Sequence, residues 1–445
     1  MKAYKVAKFG GSSMKDKLAM ENSACVIGQS KADIVIVSAT YGTTNQLVEI
    51  TEAVTKGDWQ VVEKIITEIK DRHLNLAEEV SLDDPRLEKL KNFLARLETL
   101  SKGCTLLKEC SLKAYDGILS TGELLSSLIF SKVMEFHLNT EVQWFDSRDV
   151  IATDAEHSKA RPNLEQTAKN CLQTFQSETA IYVGQGFIGR SKKGATTTLG
   201  RGGSDYSAAL IAEGIKATEL EIWTDVPGMA STDPRLCEKA KSIEKISFKE
   251  AAEMATFGAK ILHPATLAPA MRSEIPVFVG SSQDLKAGGT TIVKTDEDSP
   301  SVRAVTVRHN QAILTLSNPR MLNAYGFLKA IFEIFDKYEV SVDAITTSEI
   351  SVAMTVDKSI EEQTEFLDEL RSLGKVHIET GLSLVALIGN RIPETSGTGY
   401  KIFESLLDIN VRMICQGASH HNFCFLVESK NAELAVLRLH KAFLE

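Results

Sequence analysis

The feature that most narrows the fold is the grammar of residues 1–294, where short apolar runs alternate with long amphipathic ones. YKVAKF, ADIVIVSA, VQWF, TAIYVGQG, ELEIWTDV and IPVFVG are rich in Val and Ile and bounded by Gly, Ser or Asp, the pattern of buried strands. Between them, residues 46–70, 84–108, 123–138 and 204–216 carry helical spacing. Strands alternating with helices imply an α/β domain in three layers, with helices on both faces of a mostly parallel sheet. Ligands in such folds collect beyond the carboxyl ends of the strands.

At 445 residues the chain is long for a single core, so two or three domains are expected. The polar, acidic, proline-marked segment KTDEDSPS at 294–301 is the natural boundary. Beyond it the chain repeats itself. Gly326, Ile331-Phe332-Glu333, Val340, Ser348 and Val356 recur 71 residues on as Gly397, Ile402-Phe403-Glu404, Val411, Ser419 and Val427. Each copy reads strand, helix, strand, strand, helix, so residues 302–378 and 379–445 form a duplicated α+β module, with strands open to exchange between the copies.

A net charge of −9 argues against a nucleic-acid binder. No apolar run approaches the roughly 20 residues that span a bilayer, and MKAYKVAKFGG enters a strand pattern at once, with no leader core. The seven cysteines form no C-x-x-C pair and read as scattered thiols of a cytoplasmic protein.

Three glycine-rich segments compete for an anion. GQGFIG at 184–189 matches a dinucleotide pattern, but that pattern must open a helix, and RSKKGATTTLG reads as loop or hairpin. The stronger candidates are KFGGSS at 8–13, following the first strand, and GRGGSD at 200–205, opening a helix. Gly10, Gly11, Gly202 and Gly203 let main-chain amides crowd an anion, with Ser12 beside them. Ser204 reads as the helix N-cap, and Lys8 and Arg201 supply positive charge. No G-x-S-x-G elbow or suggestive histidine supports a hydrolase. His420-His421 has no partner ligands spaced around it, and no metal ligands are assigned. Phosphoryl transfer by positioning and charge neutralisation remains.

Taken together, KFGGSS (8–13), VSATYGTTNQL (37–47), STGELLSS (120–127), WFDSRDV (144–150), GQGFIG (184–189), TTTLGRGGSDYSAAL (196–210), IWTDVPGM (222–229), STDPR (231–235) and EAAEMATFGAKILHPATLAPA (250–270) resemble the aspartokinases of the amino-acid kinase family. SVDAITTSE (341–349) and MICQGASHHNFCFLV (413–427) resemble the paired, ferredoxin-like ACT modules of the single-function, lysine-sensitive class. The resemblance implies transfer of the γ-phosphoryl of ATP, with Mg²⁺, to the side-chain carboxylate of L-aspartate, giving 4-phospho-L-aspartate for the pathway to lysine, threonine and methionine.

Carried over, Lys8 would neutralise the transferring phosphoryl and Asp205 would fix Lys8. Arg201 and Glu123 would take the α-carboxylate and α-ammonium of aspartate, with Ser38, Ala39, Thr44 and Ser204 lining the pocket. For Glu123, a capping box with Ser120 is the competing reading. The resemblance assigns the nucleotide, besides Lys8, to Thr224, Asp225, Ala230, Asp233, Arg235, Lys260 and Ile261. It assigns an L-lysine effector to Met321, Ala324, Phe327, Leu328, Ser341, Val342, Asp343, Ser348 and Glu349, in a homodimer built through the ACT modules. Many relatives carry tyrosine at the position of Ala230 and serine at that of Ala324. The rival readings are an amino-acid kinase with a different acceptor, a non-catalytic ACT-type ligand sensor, and a nicotinamide oxidoreductase using GQGFIG.

Overall fold

A computed structural model describes residues 2–259, 262, 264–296, 299–322 and 325–445, the backbone alone at 264–266. Two compact units emerge. One takes residues 1–229, 243–248 and 261–295; the other takes 230–242, 249–260 and 296–445.

The strands of the first unit are β1 (Lys5–Phe9), β2 (Ile34–Val37), β3 (Val142–Trp144), β4 (Ala152–Thr153), β5 (Ile181–Gln185) and β6 (Ile188–Ser191). They continue with β7 (Thr196–Thr198), β8 (Glu219–Thr224), β9 (Lys245–Ser247), β10 (Val277–Ser281) and β11 (Gly289–Val293). Eight of them form one sheet in the order β3-β5-β2-β1-β8-β10-β11-β9. Its one antiparallel pairing joins β10 to β11. Alternate residues face opposite layers. Ala7, Phe9, Val35, Val37 and Val183 share a core with the helices Thr43–Lys56, Trp59–Glu79, Asp84–Leu107 and Thr121–Leu138. The helix Gly203–Ile215 packs against β1, β2 and β8.

The register aligns Phe9 with Val37 and Trp223, Val37 with Gln185, and Ser281 with Thr224. The loops after β1, β2, β5, β8 and β10 therefore leave the same end of the sheet, as a parallel sheet requires.

One local expectation needs correction. The helical spacing over 46–70 is not one helix. Gly57, at φ +72°, ends the first helix in the left-handed region, and the Asp58 side chain accepts from Val61 N–H to start the next, a stop and start that periodicity alone does not register. RSKKGATTTLG does form a hairpin, with β6 and β7 antiparallel.

The second unit carries β12 (Ala304–Ser317), β13 (Ala344–Thr347), β14 (Ser351–Asp357), β15 (Lys375–Ile388), β16 (Val411–Cys415) and β17 (Asn422–Glu428) in one sheet ordered β13-β14-β12-β15-β17-β16. The 71-residue repeat is visible in space. Gly326 and Gly397, at φ +82° and +81°, each open a helix, and β14 shifted by 71 residues is β17. β12 and β15 are each 14 residues long and serve both modules. The second half of β12 pairs with β14 and lies over the core of Leu314, Phe335, Met354 and Phe366. Its first half, residues 304–308, pairs with residues 384–388 and puts Val305 into the core of Val385, Ile402, Phe425 and Leu439. The segment that opens the first module thus completes the second.

Candidate active site

Lys8 is the second of the two lysines of β1 and the buried one. Its side chain is only 10% exposed, and its ammonium lies 2.6 Å from a carboxylate oxygen of Asp205. Burying an ammonium is costly without a counter-charge, and this pair supplies it. Oδ1 of Asp205 is buried, and among the described residues Lys8 is its counter-ion.

Glycines let the turns crowd round this pair. A Cβ on Gly10 would lie 3.7 Å from the Lys8 ammonium, and one on Gly11 3.1 Å from the Ala39 carbonyl oxygen. Half-buried Ser12 sits in the single 3-10 turn that follows. The helix bearing Asp205 opens at Gly202, which is the N-cap at φ +71°; Ser204 lies in the first turn and is not the cap. A left-handed cap position favours glycine over serine, which explains the displacement. Gly203 is buried beside Phe187, while Arg201 is exposed on the loop just before and has no ion pair among the described residues.

GQGFIG has a packing role here. A Cβ on Gly186 would meet Ser204 Cα at 2.6 Å, and the N–H of Phe187 donates to Ser207 Oγ at 2.9 Å. Its second glycine lets the Asp205 helix come close.

Glu123 is buried, and it does not form the capping box. Ser120 Oγ donates to the carbonyl of Gly117 instead. Burial pushes the Glu123 carboxyl up to about 8, opposed by the main-chain N–H groups of Glu123 and Ala39. Among the described residues its Oε2 has no hydrogen-bond partner. A buried carboxyl with an open acceptor has the chemistry to hold a cation. Ser126, on the same helix, donates to the Ser38 carbonyl at 2.7 Å, and Thr44 lies in the first turn of the helix that follows Ala39. The residues from Glu123 through Ala39, Gly11, Gly10 and Lys8 to Asp205 form a continuous series of contacts.

At the ends of β8 and β10, Thr224 donates to Asp225 at 3.0 Å, and the N–H of Ser282 donates to the Thr224 carbonyl at 2.8 Å. Ser282 Oγ is 2.7 Å from Ser13 Oγ, which ties this corner to the turn after Lys8. Ser13, Ser126 and Ser282 were not distinguishable from ordinary loop serines in the sequence.

Ala230, Asp233 and Arg235 lie in the other unit. Ala230 bridges Ser242, and Arg235 folds back on Asp233 at 2.6 Å. Lys260, Ile261 and Ala324 fall outside the described residues. A cavity of about 470 Å³ gathers Met321, Phe327, Leu328, Ser348 and Glu349 with Tyr325 and Thr347. Ser341, Val342 and Asp343 do not line it. Val342 packs on the first module's core, and Asp343 is paired with Arg308 at 2.7 Å.

Among the described residues the one cluster with metal-ligand potential is Cys237, His440 and Glu445. Its donors already have protein partners: Ser231 on His440 and Lys239 on Glu445.

A pair of glycine turns at the carboxyl end of a mostly parallel sheet, with a buried lysine between them, is the arrangement of an amino-acid kinase. The model of that family matches residues 3–281, and an ACT-domain model matches residues 385–443. The chain is 43% identical over 450 residues to the lysine-sensitive aspartokinase 3 of Escherichia coli, covering 99% of each. It is 34% identical to the chloroplastic aspartokinase 1 of Arabidopsis thaliana, covering 99% of this chain and 80% of the other. The crystal structure of E. coli aspartokinase III in complex with aspartate and ADP superposes with a TM-score of 0.87 at 42% identity, covering 99% of this chain and all of that one. The complex of the same enzyme with lysine and aspartate gives 0.84. This chain belongs to the aspartokinases.

Sequence reasoning also missed His73. It is fully buried, with Nε2 3.0 Å from Thr40 Oγ1 and Nδ1 2.7 Å from the Ile69 carbonyl, under the loop that carries Ser38 and Ala39. Burial lowers its pKa to about 4. The folded chain keeps the ring neutral, whereas the unfolded chain takes a proton below about 6.5. Stability is therefore constant above that pH and lost as pH falls toward 4, by about 3 kcal/mol in all. Urea midpoints at pH 7 and 4.5 should differ more in the native chain than in His73→Gln; equal differences would remove the assignment.

Proposed function

We propose that this chain transfers the γ-phosphoryl of ATP to the side-chain carboxylate of L-aspartate, with L-lysine as a feedback effector. The observation that carries the reading is the buried Lys8–Asp205 pair at 2.6 Å, framed by glycine turns and joined through Ala39 to the unpartnered carboxyl of Glu123. The domain limits 1–294, 302–378 and 379–445, a cytoplasmic location and a homodimer through the ACT modules complete the proposal.

A carboxylate acceptor is already ionised at pH 7, so no general base is needed. The barrier is electrostatic, because one anion attacks another. Lys8 and the amides at Gly10, Gly11, Gly202 and Gly203 place positive charge where it accumulates. Arg201 grips the α-carboxylate bidentately, and Glu123 takes the α-ammonium. The carboxylate of Asp205 has the hard oxygen donors suited to the Mg²⁺ that accompanies the nucleotide, and that ion, when bound, would neutralise phosphate charge. Thr224 and Asp225 occupy the strand end suited to the nucleotide, and the charges of Arg235 and Lys260 suit its polyphosphate tail.

With MgATP, aspartate and hydroxylamine the chain should yield aspartyl hydroxamate. Preference for glutamate, or no product, would refute the acceptor. Lys8→Met should lower kcat by about a hundredfold or more, the scale for loss of one transition-state contact, with unchanged circular dichroism.

Glu123 must ionise to bind an ammonium. With its carboxyl at about 8 in the free protein, KM for aspartate should fall about tenfold per pH unit between pH 6 and 7 and level off above 8. Glu123→Gln should raise KM and flatten that dependence; a parallel slope in both proteins would exclude the carboxyl.

For the effector, the cavity at Met321, Phe327, Ser348 and Glu349 offers one carboxylate to an amine beside apolar walls. Millimolar lysine should inhibit, and Glu349→Gln should weaken inhibition at least several-fold. Rates unmoved by lysine would eliminate the effector.

A further inference from the structure

Asp116 is fully buried on the helix Leu112–Leu119, far in sequence from any glycine turn, and the reaction scheme above does not use it. Its carboxylate is nonetheless crowded with donors. Nδ1 of His157 donates to Oδ2 at 2.6 Å, the N–H of Ser158 reaches both oxygens at 3.0 and 3.2 Å, and Thr198 Oγ1 donates to Oδ1 at 2.6 Å. The N–H of Ala160 in turn donates to the Thr198 carbonyl at 2.9 Å. A buried carboxylate bonded on this scale is fixed in place, because each lost donor would leave a charged oxygen unsatisfied.

Its partners sit at the roots of the two proposed acceptor clamps. Thr198 is the last residue of β7, and the chain runs from it through Leu199 and Gly200 to Arg201. The Ser158 segment backs that loop, since a Cβ on Gly200 would lie 3.4 Å from the Ser158 carbonyl oxygen. On the other side, the Asp116 carbonyl accepts the N–H of Ser120, and the Ser120 carbonyl accepts that of Leu124, at the start of the helix bearing Glu123. Side chain and main chain of one residue hold both segments.

We propose that Asp116, with His157 and Thr198, is a positioning group that sets the separation of Arg201 from Glu123, and with it the length of the amino acid accepted as phosphoryl acceptor. It touches no substrate. A displacement of about 1 Å at such a distance is enough to misplace the reacting carboxylate, and aspartate and glutamate differ by one methylene.

The inference rests on the proposed roles of Arg201 and Glu123, so the unaltered chain is assayed first. Absence of aspartyl hydroxamate there would defeat those roles and leave the positioning question without its premise, a failure distinct from any seen in the variants. Thr198→Val removes the hydroxyl donor with little change of shape, Thr198→Ser keeps it, and Asp116→Asn neutralises the acceptor. Thr198→Val and Asp116→Asn should raise KM for aspartate tenfold or more, leave KM for ATP within twofold, and narrow the preference for aspartate over glutamate at least fivefold. Thr198→Ser should stay within twofold on all three. If Asp116→Asn fails to fold, the Thr198 pair decides alone. Equal rises in both KM values, an unmoved KM for aspartate, or Thr198→Ser behaving as Thr198→Val would overturn the proposal.

Discussion

A lysine ammonium at the end of a central, buried strand is the constraint from which the catalytic unit can be understood. It cannot stay charged there without a nearby anion, and Asp205 at 2.6 Å is that anion. Meeting Asp205 brings the first turn of the helix Gly203–Ile215 up to the end of β1. That approach is possible only where no Cβ intervenes, at Gly186 toward Ser204 and at Gly203 toward Phe187. The same ion pair that balances a buried charge therefore dictates where small residues must stand. Removing one partner of such a pair costs roughly 3–5 kcal/mol when burial is complete.

Much of this was legible in the sequence, for identifiable reasons. Strands buried on both faces are recorded as Val- and Ile-rich runs; β1, β2, β5 and β8 fall within the runs read from the sequence, and β10 extends one residue past its run. The absence of helical spacing after Gly189 correctly demoted GQGFIG to a hairpin. The repeat was visible because both copies preserve the left-handed glycine and the buried Ile331 and Ile402. What was not legible depends on partners distant in the chain. Asp116 and Thr198 are 82 residues apart, and Thr40 and His73 are 33 apart. Nothing in the local pattern of YDGILS or DRHLNL distinguishes a buried hub from a surface charge. Ser204 was misread because a serine before a helix is a common cap, whereas a left-handed Gly202 took the position. The same limit applies to Glu123, whose spacing from Ser120 suited a cap while burial directed its carboxyl to Ala39.

Buried carboxyls here fall into two kinds. Asp116 is saturated with donors, while Glu123 has one oxygen unpartnered and is held near neutrality. The first is a brace that the folded chain has completed; the second is left open, and the proposed scheme closes it with the ammonium of the acceptor. Both are buried aspartates or glutamates on consecutive helices, so burial alone does not separate architecture from chemistry. The census of donors does.

The long strands β12 and β15 carry a further consequence. Residues 304–308 open the first repeat yet supply an outer strand and a core valine to the second. The duplicated segments are therefore not separable beads. A fragment beginning at residue 379 would keep every residue of its own copy and still present residues 384–388 as a naked, apolar strand edge open to pairing with another chain. Evolution, having doubled the module, has knotted the two copies' fates together: neither can be shuffled away, lost or borrowed by another protein without leaving the survivor sticky.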